Sequence, residues 1–161
     1  MHGVHQVSNA LAALAAAQAV DVPIEQAIAG LGQATISPWR MELARTGAGA
    51  VIINDAYNAN ALSTEAALRS LAAVQASRRV AVLGVMAELG ERHDQDHQAM
   101  TALCRELGIE LIAYVESAYG VVAATSFDEV IERLGGLDAR CAVLVKGSRV
   151  AGLEALADRL L

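Results

Sequence analysis

Apolar positions divide the chain into two textures. Over residues 6–20, Val7, Ala10, Leu11, Leu14 and Ala17 recur at about 3.6-residue spacing, the mark of a helix with one narrow apolar face. Ser8 or Asn9 is placed to cap it, unless Asn9 projects from its first turn. Pro23 suits the first turn of a second helix through Ile24, Ala27, Ile28 and Leu31, which Gly30 and Gly32 are expected to stop. No strand separates these helices. Residues 33–39, with Pro38, read as a connection, and behind them the pattern changes.

From residue 40 onward, short apolar runs alternate with helical periodicity. Strands are expected at 41–44, 50–54, 79–83, 109–115 and 141–145, with a short one at 121–123. Helices are expected from Ser63, from about Asp94 to a stop at Gly108, from a Ser126 cap through Leu134, and from about Arg149 to the end. Glu65 and Arg69 have the spacing of an exposed helical ion pair. Strands that are apolar on both faces imply a sheet covered on both sides. The fold class is therefore α/β: a Rossmann-like, mostly parallel sheet with helices on both faces, preceded by two helices. The expected domains are 1–39 and 40–161.

Composition narrows the setting. The 161 residues are 55% apolar, enough for a sizeable core, and 19% charged with a formal net charge of -6. No basic cluster suggests a nucleic-acid surface, no apolar run is long enough for a membrane span, and no signal peptide is recognisable, so a cytoplasmic location is expected. Cys104 and Cys141 form neither a disulfide framework nor a metal set and read as core packing.

In a doubly wound sheet, chemistry collects at the C-terminal ends of the strands. The most polar such end is Asn54-Asp55-Ala56-Tyr57-Asn58-Ala59-Asn60, too rich in polar groups and an aromatic for a simple turn. A second is Gly84-Val85-Met86-Ala87-Glu88-Leu89-Gly90, with Glu88 as its acid. A third, after Tyr114-Val115, includes Glu116 and Ser117. The fourth, Lys146-Gly147-Ser148-Arg149, is a cationic turn feeding a helix start, a combination that suits a phosphate or carboxylate. His93 and His97 share a helix face beside Asp94 and Asp96, but a third metal ligand is not evident, so a solvated helix start is the expectation. The phosphate-loop, G-x-S-x-G and G-x-G-x-x-G patterns are absent.

These residues carry a resemblance. Gly3-Val4-His5-Gln6-Val7-Ser8-Asn9-Ala10-Leu11, Arg40, the 54–60 run, the 83–90 run and Leu144-Val145-Lys146-Gly147-Ser148-Arg149 together resemble the C-terminal part of a Mur ligase. The likeness is greatest to the branch that adds D-Ala-D-Ala to UDP-N-acetylmuramoyl-tripeptide in peptidoglycan synthesis. It implies an ATP- and Mg2+-dependent reaction in which ATP activates a carboxylate as an acyl phosphate and the amine of D-Ala-D-Ala attacks it.

On this resemblance, residues 1–39 are the last helices of a central ATPase domain, and 40–161 are a C-terminal domain that closes over the nucleotide. The phosphate loop, magnesium ligands and carbamylated lysine of the family would lie upstream of Met1, and the chain alone would be inactive. His5 and Asn9 fall where the family contacts adenine. Arg40 and Asp55 fall where the closing domain meets ribose and phosphates. Tyr57, Asn58 and Asn60 would line the dipeptide side, joined by Glu88, Lys146 and Ser148, with Lys146 the one weak catalytic candidate. No metal ligand is carried over. Val85 stands where the family has Asp, Gln6 where it has Asn, Trp39 where it has Gly and Ala61 where Pro is common; the 116–125 stretch is short. The leading helices are expected to expose an apolar face and to dimerise or pack back. A related amide ligase, such as another Mur ligase or a folylpolyglutamate synthase, and a non-catalytic Rossmann-like binding module are the alternative readings.

Overall fold

The computed structural model describes residues 4–34 and 37–161, with side chains from Val7 onward. The chain forms two compact units, 1–37 and 38–161. In the first, α1 (Val4–Ala19) packs against α2 (Ile24–Gln33). Ser8 and Asn9 lie inside α1 rather than at its cap. Pro23 is the N-cap of α2, and the helix runs through Gly30 and Gly32. Glycine lowers helix stability by only about 1 kcal/mol per residue, too little to end a helix by itself. Among the described residues, Val7, Leu11, Val20 and Ile28 are each more than half exposed.

The second unit is a five-stranded sheet in the order β1-β2-β5-β3-β4. Strand β1 (Glu42–Arg45) is an antiparallel edge on β2 (Val51–Asp55), while β3 (Arg78–Leu83), β4 (Glu110–Ala113) and β5 (Cys141–Lys146) run parallel with β2. Alternation along each strand sends side chains to opposite faces. Ile53, Ala81, Ala113, Ala142 and Leu144 pack with Leu68 and Leu71 of α3 (Ala61–Ala72) and with Met100 and Leu103 of α4 (His93–Glu106). On the other face, Ile52, Val80, Val82, Val143 and Val145 pack with Val130 and Leu134 of α5 (Phe127–Leu134) and Leu156 of α6 (Glu154–Arg159). Each buried Leu, Ile or Val of this kind contributes about 1.5–3 kcal/mol of transfer free energy.

The structure departs from the expected elements in several places. The expected strand at 121–123 is only one isolated bridge, Tyr114 to Ala124, and β4 ends at Ala113 because Val115 turns into the left-handed region with φ 52°. The helix expected from Arg149 is a 3₁₀ turn, Arg149–Ala151, broken at the left-handed Gly152 before α6. The helix expected from Ser63 starts two residues earlier, with Asn60 as cap. A further 3₁₀ turn, Gly90–Arg92, precedes α4.

The topology fixes where a ligand can enter. Strand β5 feeds α6 on one face, whereas its neighbours β2 and β3 feed α3 and α4 on the other. Loops leaving adjacent strands in opposite directions open a crevice at the strand ends. Lys146, the last residue of β5, stands there.

Candidate functional site

The sheet register builds the site. Asp55 and Lys146 are direct partners at the ends of β2 and β5, and their side chains point to the same face. Lys146 Nζ lies 2.6 Å from Asp55 Oδ2 and donates to the Asn58 carbonyl at 2.8 Å. The Lys146 side chain is only 2% exposed and that of Asp55 13%. Burial pushes the Lys146 ammonium below the usual lysine range, Asp55 opposes this, and the nearby Arg40 charge adds to the lowering. Asp55 Oδ1 accepts the Met41 N–H at 3.0 Å, so both of its oxygens are engaged.

The polar loop after β2 is largely committed to holding its own shape. Asn54 Oδ1 accepts from the Ala56 amide and Asn58 Oδ1 from the Ala59 amide. The Asn60 side chain accepts from Ser63 N–H at 2.8 Å, and Ser63 Oγ accepts from Asn60 N–H, a reciprocal capping box that starts α3. Ser148 Oγ donates to the Ala59 carbonyl and accepts the Ala87 N–H at 2.8 Å, while its own N–H donates to Val85 O. One hydroxyl thus joins the loops after β2, β3 and β5. Gly84 and Gly147 make that junction possible: a Cβ on either would come within 2.9 Å of Leu153 Cδ1.

Above this pair sits an alternation of guanidinium groups and rings. The Arg40 guanidinium lies 4.0 Å from the Tyr57 ring centre, and the Arg149 guanidinium lies 4.7 Å from the Trp39 ring and 6.0 Å from that of Tyr57. The Trp39 carbonyl accepts the Tyr57 N–H, and Trp39 itself has φ 61°, a conformation costly for a large side chain. Neither guanidinium has a carboxylate partner among the described residues. Two exposed arginines set against aromatic rings, without a carboxylate partner among the described residues, are suited to a planar or tetrahedral anion.

Of the residues singled out by sequence, the structure gathers Arg40, Asp55, Tyr57, Asn58, Lys146 and Ser148. It changes three expectations. Lys146 is held by Asp55 and Asn58 and is not a free cation. Asn60 is a helix cap. Glu88 is exposed on its loop, at φ 66°, outside this cluster. Asn9 lies within α1, and the side chain of His5 lies outside the described residues. Sequence reasoning missed Trp39 and Arg149: Arg149 was visible in the cationic turn, whereas nothing local marks Trp39 as its partner. The helix start at His93 is also not simply solvated, since Asp96 and His97 are buried.

Comparison with known proteins gives the family of the chain. A profile described as Mur ligase, glutamate ligase domain, matches residues 39–149. The chain belongs to the Mur ligase family. The UDP-N-acetylmuramoyl-tripeptide--D-alanyl-D-alanine ligase of Mycobacterium bovis is 36% identical over 98% of the chain, and the Escherichia coli protein of the same name is 32% identical over 94%. Among solved structures, MurF from Acinetobacter baumannii superposes with a TM-score of 0.82 at 29% identity over 99% of the chain. The ADP complex of MurF ligase from Thermotoga maritima, at 20% identity and a TM-score of 0.83, shares the fold. The chain spans 38% of the Mycobacterium bovis relative and 36% of the Escherichia coli one. All the clustered residues of this Mur ligase domain, Trp39 to Arg149, lie inside the matched segment.

Proposed function

We propose that this chain is the C-terminal, substrate-positioning part of an ATP-dependent ligase that adds D-Ala-D-Ala to UDP-N-acetylmuramoyl-tripeptide through an acyl phosphate. The observation that carries the reading is the pair of carboxylate-free guanidiniums, Arg40 and Arg149, stacked on Tyr57 and Trp39 at the crevice mouth. Every reactant in such a reaction carries an anionic group: the phosphates of the nucleotide, the carboxylates of the tripeptide and the C-terminal carboxylate of the zwitterionic dipeptide. Arg149, on the turn after β5, is assigned to the dipeptide carboxylate, and Arg40 to the phosphates. The buried Asp55–Lys146 pair fixes the loop between them, so the guanidiniums keep their positions without reorganising on binding. The chemical contribution is proximity: the amine is held near the activated carbonyl and water is excluded from a hydrolysable intermediate.

The carboxylate at the centre of this cluster does not fit Mg2+, because Lys146 and the Met41 amide already occupy its oxygens. Helices α1 and α2, in the segment 1–39 assigned by the resemblance, are proposed as the last helices of a central ATPase domain, whose sheet would cover the exposed Val7, Leu11 and Ile28. By itself the chain is then inactive. The test is an amide-shift titration with D-Ala-D-Ala, L-Ala-L-Ala and ATP. Selective shifts with the D,D-dipeptide at residues 55–60 and 146–149, lost in Arg149→Ala, are expected. Equal response to the L,L-dipeptide, or none to the D,D form, would overturn the dipeptide assignment.

A further inference from the structure

The sequence offered two histidines and no third ligand; the fold supplies one. His93 and His97 lie one turn apart on α4, with ring centres 4.3 Å apart. Glu116, the N-cap residue of the 3₁₀ turn Ser117–Tyr119, reaches the same place from the connection after β4: its Oε2 is 3.3 Å from His93 Nε2 and 4.0 Å from His97 Nε2. We propose that His93, His97 and Glu116 form a site for a divalent transition metal, and that filling it releases the Met86 amide from His97. The proposal does not rest on the ligase reading above.

The groups behind these three ligands favour coordination. His97 Nδ1 is 2.6 Å from the His93 carbonyl, which can only accept, and His97 Nε2 lies 3.0 Å from the Met86 N–H, which can only donate. The imidazole is therefore the neutral Nδ1–H tautomer, and its single Nε2 lone pair is the one that accepts the Met86 N–H. A ring N–H anchored on a backbone carbonyl is the usual support of a metal-bound histidine. Glu116 Oε1 accepts the Ala118 N–H at 2.8 Å, leaving Oε2 toward the imidazoles. The Tyr119 ring packs edge-on against His97 at 4.7 Å and its hydroxyl donates to Gly84 O, closing the inner side.

His97 is fully buried and Glu116 nearly so, whereas 37% of the His93 side chain is exposed, which gives an ion its way in. The three ligand atoms lie within 4.8 Å of one another. Zinc-like ions bind imidazole and carboxylate at about 2.0–2.2 Å, and two imidazoles with one carboxylate leave a fourth position for solvent. The His93–Glu116 edge already has the separation of two such ligands, and His97 must draw closer.

That movement carries the coupling. The metal takes the lone pair that now accepts the Met86 N–H, and Met86 belongs to the loop that Ser148 ties to the site at Lys146 through Ala87 and Val85. Metal occupancy thus acts on the loop beside the candidate site.

The experiment titrates the full chain with Co2+, reading its visible absorption, and with Zn2+, reading amide shifts. The expected result is one equivalent of Co2+ with the bands of a four- or five-coordinate site, weakened at least about 10-fold in His93→Ala and in Glu116→Gln. Zn2+ shifts the Met86 amide and speeds its hydrogen exchange. The His2→Ala/His5→Ala variant, which removes the chain's other two histidines, retains the site. Absence of the bands, survival of binding in both ligand variants, or loss only in the His2/His5 variant overturns the site. Saturation with Zn2+ that leaves Met86 unmoved overturns the coupling. His93 is partly exposed at the start of α4, and an unchanged melting temperature of His93→Ala separates ligand loss from misfolding.

Discussion

Replacing Asp55 by Asn isolates the buried ion pair. Asparagine keeps an oxygen for the Met41 N–H but removes the charge 2.6 Å from Lys146 Nζ, leaving the ammonium with the Asn58 carbonyl. Two unit charges at that separation interact by about 6 kcal/mol at an effective dielectric of about 20, and breaking a buried pair typically costs about 3–5 kcal/mol. Lys146 also has a way out, which sets a ceiling: it can fold neutral. Taking a lysine from its ordinary 10.5 to neutral at pH 7 costs about 5 kcal/mol, at about 1.4 kcal/mol per pH unit. The expected loss at pH 7 is therefore about 3–5 kcal/mol, measured by urea unfolding followed through Trp39, the single tryptophan of the chain.

The sign of the pH dependence follows from the same quantities. In Asp55→Asn, the unfolded lysine binds a proton that the folded one has lost, so stability rises with pH up to about 10.5. By pH 9 the ceiling falls to about 2 kcal/mol, and the deficit relative to the parent chain shrinks accordingly. The double variant Asp55→Asn/Lys146→Met recovers most of the pH 7 loss, because no charge is left buried. A single-variant loss under about 1 kcal/mol, or a deficit that stays constant from pH 7 to pH 9, refutes the reasoning.

Other expectations are simpler. Gly147→Ala places a Cβ 2.9 Å from Leu153 Cδ1 and 3.3 Å from Gly84 Cα, a clash partly with backbone, and should cost about 1–3 kcal/mol in denaturant unfolding. Asn60→Ala removes the capping box of α3 and should cost about 1 kcal/mol, with faster amide exchange in the first turn of that helix. Tyr119→Phe deletes the buried bond to Gly84 O at 2.8 Å and should lower stability by about 1 kcal/mol; an unchanged urea midpoint would show that the carbonyl finds another donor. Arg149→Ala removes the cation–π contacts with Trp39 and Tyr57 near the surface and should change the unfolding free energy by less than about 1 kcal/mol while abolishing the dipeptide response.

The local pattern of the chain was sufficient for the fold class and for most of the element order. Doubly apolar runs such as Val80-Ala81-Val82-Leu83 have no stable place except between two helical layers, and Ser126 followed by Glu129 announces a capped helix wherever it stands. The same local chemistry brought out the loop at 54–60 and the turn at 146–149, since polar groups massed after a buried strand are legible without coordinates.

What each polar group does was decided only by tertiary structure, because a side chain's function depends on what is left unpaired after folding. The parallel register sets Asp55 beside Lys146 across 91 positions of sequence and turns a candidate ligand group into a buried strut. Asn60 is likewise absorbed by Ser63, three residues on. Arg40 and Arg149, by contrast, lie against aromatic rings, have no carboxylate partner among the described residues, and stay exposed. Glu116 meets His93 and His97 only because β4 and α4 pack side by side, a proximity that no spacing in the sequence encodes. Periodicity is a property of neighbours along the chain, whereas pairing, and therefore availability for chemistry, is a property of neighbours in space.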